Sequence, residues 1–346
     1  MKNVRRNSII ILIITIVVLY FVLKDNFKQT LEILISANQW LILLTILIYG
    51  VFLILESYIL YRIAREYKKD YPFIKAFSLN MINKFFSGIT PLATGGEPMQ
   101  VYELKQDGVR ITDGTNIIIQ NFMLYQLGLV FFGMVAIIFN YSFHLFPNAP
   151  FLKTLVLLGF VIHLVMVILL TFVSFNKKFS AWAVRFGIKV LTKFKILKNI
   201  EKTKEKMEKS CEKFYNGAQH IKENKREFFI KLAIRIISFV FYYSIPFFIT
   251  LAIGEKTDLT LWISIVASSY VYFSGSYVPI PGASGGMEFV FLSFFGNFIE
   301  ENPLAVTLVI WRFITYFFPT ILGGIIYNVR KHRMALLETQ KEKVEK

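Results

Sequence analysis

The chain has little cysteine, histidine or acidic character, and each scarcity excludes a class of function. Its single cysteine, Cys211, forms no internal disulfide. The four histidines show no metal-ligand spacing with each other or with carboxylates, so neither a metal nor another cofactor is expected. No Walker or dinucleotide-binding glycine loop occurs, which argues against ATP-driven export by this chain alone.

Serine hydrolase chemistry is also disfavoured. The pattern Gly282-x-Ser284-x-Gly286 matches the nucleophile elbow of soluble hydrolases, and Gly282-Ala-Ser284-Gly285 matches a short pattern of rhomboid intramembrane proteases. Both chemistries require a histidine base. None of His144, His163, His220 and His332 lies on the last apolar segment after this serine.

Hydrophobic and basic residues are abundant instead. Of 346 residues, 55% are hydrophobic, and 39 Lys and Arg stand against 23 Asp and Glu. The basic residues flank long apolar runs, so anionic lipid headgroups are expected as neighbours rather than nucleic acid. We therefore predict an all-α polytopic membrane protein with residues 1–346 as a single integral membrane domain. A composition rich in Ile, Lys, Asn and Phe favours a bacterial plasma membrane as its location.

The apolar runs predict the membrane spans and their orientation. Spans are predicted at 8–23, 40–61, 114–140, 151–175, 228–253 and 304–328, and no cleavage site follows the first. Basic residues at the chain ends place both termini in the cytoplasm. Residues 176–227 form a basic connector on the cytoplasmic side. It is amphipathic and could follow anionic lipid, or it could be a solvated linker.

Two similar stretches interrupt shorter apolar runs, Pro91-Leu-Ala-Thr94-Gly95-Gly96-Glu97 and Pro281-Gly-Ala-Ser284-Gly285-Gly286-Met-Glu288. Broken helices at membrane depth are tolerated where protein or a cavity covers them, and matched breaks indicate a transport site. We predict re-entrant hairpins at 72–107 and 259–299 that enter from opposite faces. The chain is then an inverted repeat, with repeat one at 40–140 and repeat two at 228–328. If residues 259–278 cross the membrane fully, the number of membrane-crossing helices is larger than the six spans, so six to eight crossing helices are expected.

The residues at the breaks indicate anion binding. Pro ends a helix and Gly permits unusual backbone angles, so a new half-helix can start after each break. Thr94 and Glu97 fit a capping box, and Ser284 can cap the second half-helix. The free N–H groups at such half-helix ends suit an anion such as a lipid phosphate. The alternative is that these residues serve only tight hairpin packing.

Charged residues inside the apolar segments are the second signal. Each costs about 2.5–3.5 kcal/mol at a helix centre on insertion scales, so each needs a partner or a function. We expect Arg312 and Lys84 to contact either a cargo phosphate or the carboxylates Glu97 and Glu288. Snorkelling to the interface is the alternative for Arg235 and Arg312. The predicted substrate-binding residues are Lys84, Thr94, Gly95, Gly96, Glu97, Arg235, Pro281, Ser284, Gly285, Gly286, Glu288 and Arg312.

Three segments resemble one known family. They are Asn83–Pro91 with Gly95-Gly96-Glu97, Pro279–Gly286 with Glu288, and Trp311-Arg312 with Pro319 and Gly323-Gly324. This pattern is similar to the lysylphosphatidylglycerol synthase transmembrane family, also called flippase-like or UPF0104. The family includes the membrane half of the multiple peptide resistance factor. The resemblance implies roles for Gly95, Gly96, Glu97, Pro281, Gly285, Gly286, Glu288 and Arg312, while Gln100 stands near where many members carry Arg.

The resemblance implies a lipid flippase or transporter that moves an anionic or aminoacylated phospholipid, or a polyprenyl-phosphate-linked lipid, between leaflets. The first alternative is a phosphatidylglycerol lysyltransferase, although no soluble catalytic domain is expected in this chain. The second is a membrane partner of a cytoplasmic lipid synthase. The expected partner is a membrane phospholipid, and a cytoplasmic synthase and a second copy of the chain stay open as further partners.

Overall fold

The computed structural model describes residues 27–146, 150–176, 224–275 and 280–344, together with scattered residues between 178 and 215. The predicted span 8–23 and most of the predicted connector 176–227 lie outside the described residues. Within these ranges every regular element is helical, as the hydropathy pattern predicted.

A common order of elements occurs in both halves of the chain: a long helical segment, a short helix, a turn led by proline, a short helix and a long helical segment. The first half comprises α1 (Phe27–Ser36), α2 (Gln39–Tyr67), α3 (Phe73–Gly88), a 3-10 turn (Pro91–Ala93), α4 (Gly96–Gln106), α5 (Ile111–Phe143) and α6 (Pro150–Phe175). The second comprises α7 (Lys225–Tyr243), α8 (Ile245–Ala252), α9 (Leu261–Gly275), a 3-10 turn (Pro281–Ala283), α10 (Gly286–Phe295), α11 (Glu301–Arg312), a π-turn (Phe313–Phe317) and α12 (Phe318–Val344). In the first half α1 precedes this order and α6 follows it, and in the second half each long segment consists of two helices.

Five helical segments in the described ranges are long and apolar enough to cross a membrane. They are Gln39–Tyr67, Ile111–Phe143, Phe151–Val173, Lys225–Ala252 and Glu301–Met334. Each contains or closely overlaps a predicted span. Helix α9 has only 15 residues. It rises about 22 Å, which is less than the roughly 30 Å of a bilayer's hydrocarbon core.

The predicted span 228–253 is two helices, because Pro246 lies at the second position of α8. Proline has no N–H group and cannot continue the hydrogen-bond ladder of α7. At the kink the N–H group of Phe247 donates to Ser264 Oγ at 3.3 Å instead of to the carbonyl oxygen of Tyr243. That carbonyl oxygen accepts hydrogen bonds from Ser264 Oγ and Ser268 Oγ, each at 3.0 Å. Helix α9 thus satisfies backbone groups at the kink, as an apolar environment requires.

The two halves share one hydrophobic core. Its cluster joins Tyr49 and Phe132 of the first half to Phe239, Phe273 and Phe291 of the second. Helix α2 packs on α7 and α8, α5 packs on α9, and α12 packs on α3. The halves therefore fold as one body around the two breaks.

An ion-pair network ties the last helix to the first broken unit. Arg330 of α12 contacts Glu103 of α4 and, at 2.9 Å, Asp107 just after it. Asp107 also contacts Lys75 at 2.9 Å and accepts a hydrogen bond from Tyr71 Oη at 2.8 Å. Both carboxylates are buried, so this network fixes the end of α4 against α12.

Helix α12 approaches α3 closely at Gly323. A Cβ atom at this buried position would overlap the backbone carbonyl oxygen of Met81. Gly323→Ala therefore forces the helices apart, and overpacking of this kind costs about 1–3 kcal/mol. We expect a lower melting temperature for this variant of the purified chain in detergent.

Gly50→Ala is the matched control, because Gly50 lies within α2 and a Cβ there has no atom within 4 Å. Alanine favours a helix interior over glycine, so this variant should melt no lower than the parent. A Gly323→Ala protein as stable as Gly50→Ala would show that the α3–α12 contact is looser than the structure indicates.

Candidate functional site

The two breaks meet in the middle of the fold. The 3-10 turn Pro91–Ala93 lies in contact with the 3-10 turn Pro281–Ala283, and the second turn also contacts α3. In each turn proline stands first, where its missing N–H group is tolerated and its fixed φ starts the turn. The stretches that resemble each other in sequence are therefore neighbours in space.

The backbone at these turns is strained. Leu92, Ala93 and Ala283 have φ values of 52°, 54° and 49°, in the left-handed region that residues with a Cβ rarely adopt. Gly282 lies in the same region, with φ 66°, and a Cβ there would overlap the ring of Tyr316. Such strain is held in place by surrounding structure and clusters at functional sites. All four residues line one cavity.

Three adjoining cavities surround the meeting point of the turns, and all three are bordered by Ser87, Ala93 and Tyr125. We call them the Arg312 cavity (about 300 Å³), the aromatic cavity (about 190 Å³) and the Glu97 cavity (about 400 Å³). The Arg312 cavity also has Tyr242, Tyr272, Tyr316 and Trp311 in its wall. The Glu97 cavity is lined by Glu56, Lys84, Glu97, Asn121 and Arg235.

Glu56 is the electrostatic centre of the Glu97 cavity. Its carboxylate contacts Lys84 Nζ at 2.7 Å and Arg235 at 2.9 Å. Arg235 also donates a hydrogen bond to Asn121 Oδ1 at 2.9 Å. These four residues come from α2, α3, α7 and α5, so the cluster joins both halves. Glu56 is 6% exposed and Arg235 only 1%, so Arg235 does not snorkel to an interface.

Arg312 forms the second ion pair. Its guanidinium contacts Glu288 Oε1 at 2.7 Å and donates to the carbonyl oxygen of Gly282 at 3.2 Å. Glu288 also accepts a hydrogen bond from the N–H of Gly285 at 2.7 Å. Arg312 is thereby held on the second break, with its guanidinium at the cavity surface and Glu288 behind it. Like Arg235, Arg312 is buried rather than snorkelling.

The π-turn after Arg312 links the two breaks. Its Tyr316 donates a hydrogen bond from Oη to the carbonyl oxygen of Gly88, at the end of α3, at 3.0 Å. The same ring packs over Gly282 and lies 5.1 Å from the guanidinium carbon of Arg312. This element is a single turn of π-helix within an otherwise α-helical segment, and such turns occur often at functional sites.

The predicted residues divide between the cavities and the packing behind them. Lys84, Thr94, Glu97 and Arg235 border the Glu97 cavity, and Arg312 borders the Arg312 cavity. The other seven, Gly95, Gly96, Pro281, Ser284, Gly285, Gly286 and Glu288, line none of the three cavities. They shape the turns and the half-helix starts. Lys84 pairs with Glu56 rather than with Glu97, whereas Arg312 pairs with Glu288.

The prediction that Thr94 and Ser284 cap the half-helices was wrong at both breaks, because the N-caps are Gly95 and Gly285. Thr94 Oγ1 donates to the carbonyl oxygen of Pro91 at 3.0 Å and does not cap α4. Ser284 Oγ likewise donates back, to Pro281 at 3.3 Å. The carboxylate half of a capping box forms at the second break instead, between Glu288 and the N–H of Gly285. The reason is that the helix starts at Gly286, which places Glu288 at its third residue.

Sequence reasoning missed the neutral polar residues of the site. Gln100 is buried and accepts a hydrogen bond from Asn83 at 3.1 Å, while Asn121 holds Arg235. Tyr125 borders all three cavities. Amide side chains within apolar helices were the available signal, because such groups require partners in a membrane. Among the residues that the structure describes, no three His, Cys, Asp or Glu side chains group as a metal site requires.

The Glu56 cluster predicts a large effect for one substitution. Glu56→Gln removes the counter-charge of the buried Arg235 and of Lys84, whose side chain is 25% exposed, and breaking a buried pair by removing one partner costs about 3–5 kcal/mol. We expect a clearly lower melting temperature of the purified chain. Glu205→Gln is the control, because Glu205 pairs with Lys209 on an exposed surface. Equal melting temperatures for both variants would mean that the Glu56 carboxylate is not needed to hold the two cations.

Comparison of the sequence with known proteins identifies its family. A family model described as the lysylphosphatidylglycerol synthase TM region matches residues 8–323. A UPF0104 membrane protein of Pyrococcus horikoshii is 24% identical over 344 residues, covering 96% of this chain and 99% of the relative. A UPF0104 membrane protein of Archaeoglobus fulgidus is 25% identical over 281 residues, 80% and 79% of the two chains. An uncharacterised protein of Mycoplasma pneumoniae is 22% identical over 343 residues, 92% and 85% of the two chains.

The match covers nearly the whole chain and includes both breaks and Arg312, so the resemblance that the motifs indicated is confirmed. The chain is a membrane protein and belongs to the family of the lysylphosphatidylglycerol synthase transmembrane region, the UPF0104 membrane proteins.

Proposed function

We propose that this protein moves a phospholipid between the leaflets of a bacterial plasma membrane, with the headgroup passing through the central cavities and the acyl chains staying in the bilayer. The cargo is an anionic or aminoacylated phospholipid. The observation that carries the proposal is the contact between the two proline-led turns, beside adjoining cavities that are lined in part by charged side chains. Matched breaks from two halves are the arrangement on which transporters build midplane sites.

In this proposal α3–α4 and α9–α10 are re-entrant hairpins that enter from opposite faces. The lengths of these helices support it. Helix α3 has 16 residues and α4 has 11, while α10 has 10. At 1.5 Å per residue none exceeds about 24 Å, so none crosses the hydrocarbon core alone. The two units are then the inverted repeats, and each turn lies near the middle of the bilayer.

The charges of the Glu97 cavity suit a headgroup that carries both signs. Lys84 and Arg235 share the single carboxylate of Glu56, which leaves one positive charge for a phosphate. Arg235 Nε is buried and has no hydrogen-bond partner among the described groups. Glu97 borders the same cavity, and no described cation lies within ion-pair distance of it. A phosphate and an ammonium group would each find a counter-charge, which favours an aminoacylated phospholipid.

Arg312 provides a second binding position for the phosphate of the headgroup. Glu288 and Gly282 hold its guanidinium in one orientation. The fixed planar fork of arginine suits phosphate oxygens. The tyrosines beside it present aromatic faces to an ammonium group, to which such faces are attractive. A headgroup that passes between the turns would move from Lys84 in the Glu97 cavity to Arg312 in the Arg312 cavity. It would not enter the hydrocarbon core on the way.

The second candidate function is a phosphatidylglycerol lysyltransferase, and the family description is what favours it, since it names a lysylphosphatidylglycerol synthase. That reaction would make an aminoacylated lipid from charged tRNA. Formation of lysylphosphatidylglycerol by the purified chain with lysyl-tRNA would support this candidate. A membrane partner of a synthase would show neither synthesis nor lipid movement by itself.

Leaflet-resolved transport in proteoliposomes tests the first proposal. The full chain is reconstituted with fluorescent phosphatidylglycerol or lysylphosphatidylglycerol, and outer-leaflet label is measured by chemical quenching. Lys84→Gln should lower the transport rate of both lipids roughly tenfold. It removes a charged hydrogen-bond donor to the phosphate, and a hydrogen bond to a charged group contributes about 1.5–3 kcal/mol. Glu97→Gln should slow the aminoacylated lipid more than the unmodified one, because it removes the counter-charge of the amine.

Glu301→Gln is the control, since Glu301 is an exposed carboxylate at the start of α11 and borders none of the cavities. It should transport both lipids at the parental rate. Parental protein that moves neither lipid faster than empty liposomes would overturn the transport proposal. Transport unchanged in Lys84→Gln and Glu97→Gln would remove the Glu97 cavity from the path.

A further inference from the structure

A fourth cavity lies on the outside of the molecule, between the start of α3 and the middle of α12. Its volume is about 550 Å³, and it shares no lining residue with the three central cavities. We call it the α3–α12 groove and define it by Ile74, Lys75, Ile325, Val329, Arg330 and Arg333. The proposed transport path leaves it unused.

The floor of the groove is apolar and uncovered. Ile74 is 66% exposed, Ile325 56% and Val329 64%. Isolated exposed apolar residues need no explanation, but these three line one concave surface. In a membrane protein an acyl chain is the occupant that the chemistry of such a surface fits.

The rim of the groove is positively charged. Lys75 and Arg330 each contact Asp107 at 2.9 Å, and Arg330 also contacts Glu103. Arg333 is exposed, and no carboxylate among the described side chains lies within ion-pair distance of it. Three cations therefore face two carboxylates. Lys75 keeps 43% of its side chain exposed, so it and Arg333 are accessible from outside.

We propose that the α3–α12 groove binds one anionic phospholipid, with its phosphate on Arg333 and Lys75 and an acyl chain on the apolar floor. Basic pockets between membrane helices at the bilayer surface are known to take anionic lipid headgroups. The lipid would lie across the junction that Arg330 makes with Glu103 and Asp107. It would thereby stabilise α12 against the α3–α4 unit, at a place separate from the transported cargo.

Lipid titration of the delipidated full chain in detergent tests this site. Native mass spectrometry counts bound lipids, and a thermal shift reports their effect. Both are carried out in the Lys84→Gln background, which weakens the proposed central site. Phosphatidylglycerol should bind and raise the melting temperature. Arg333→Gln should weaken this binding about fivefold, equivalent to about 1 kcal/mol for one basic residue near the membrane surface.

Lys331→Gln is the matched control, because Lys331 is exposed on the same helix two residues away and does not line the groove. It should bind phosphatidylglycerol as the parent does. The proposal fails if Lys331→Gln loses as much affinity as Arg333→Gln, or if Arg333→Gln loses none. It also fails if phosphatidylcholine binds as tightly as phosphatidylglycerol. Stabilisation by inorganic phosphate alone, equal to that by the lipid, would indicate a phosphate site and overturn the assignment to a phospholipid.

Discussion

The Glu56 carboxylate, shared between Lys84 and Arg235, is the interaction on which the centre of this fold depends. An unpaired buried charge in a low-dielectric interior is unfavourable, so the buried Arg235 needs the Glu56 carboxylate that it shares with Lys84. Because the three residues come from three helices in two halves, the cluster holds the halves together and keeps the cavity polar. The same residues therefore serve stability and a candidate binding site.

The second constraint is the need to satisfy backbone groups at broken helices. Where Pro246 separates α7 from α8, two serines of α9 donate hydrogen bonds to the carbonyl oxygen of Tyr243. Where Pro91 and Pro281 interrupt the shorter helices, the turns pack against each other and against Tyr316, and the remaining space becomes cavity. Breaks that would be unstable in lipid are stable here because each faces protein or the central cavities.

The differences between expectation and structure concern local hydrogen bonds. The Thr94–Glu97 spacing fits a capping box, yet the Thr94 hydroxyl donates back to Pro91, because α4 starts at Gly96 and its N-cap is therefore Gly95 rather than Thr94. Glu288 lies four residues after Ser284, one more than a capping box with Ser284 allows, and it bonds the N–H of Gly285 because α10 starts at Gly286 with Gly285 as its N-cap. Lys84 could reach a carboxylate on either of two helices by sequence alone, and only the packing of α2 against α3 selects Glu56.

The sequence by itself determined that the chain is a helical membrane protein, where its long spans lie, that two similar breaks interrupt it, and to which family it belongs. Apolar runs, flanking charge and the Pro and Gly-Gly positions are local properties, so they can be read without a fold. Only the tertiary structure decided that the two breaks touch, that Glu56 rather than Glu97 holds Lys84, and that Tyr125 borders every central cavity. Those facts depend on which distant helices pack together, and packing is set by side-chain shape across segments that lie far apart in the chain.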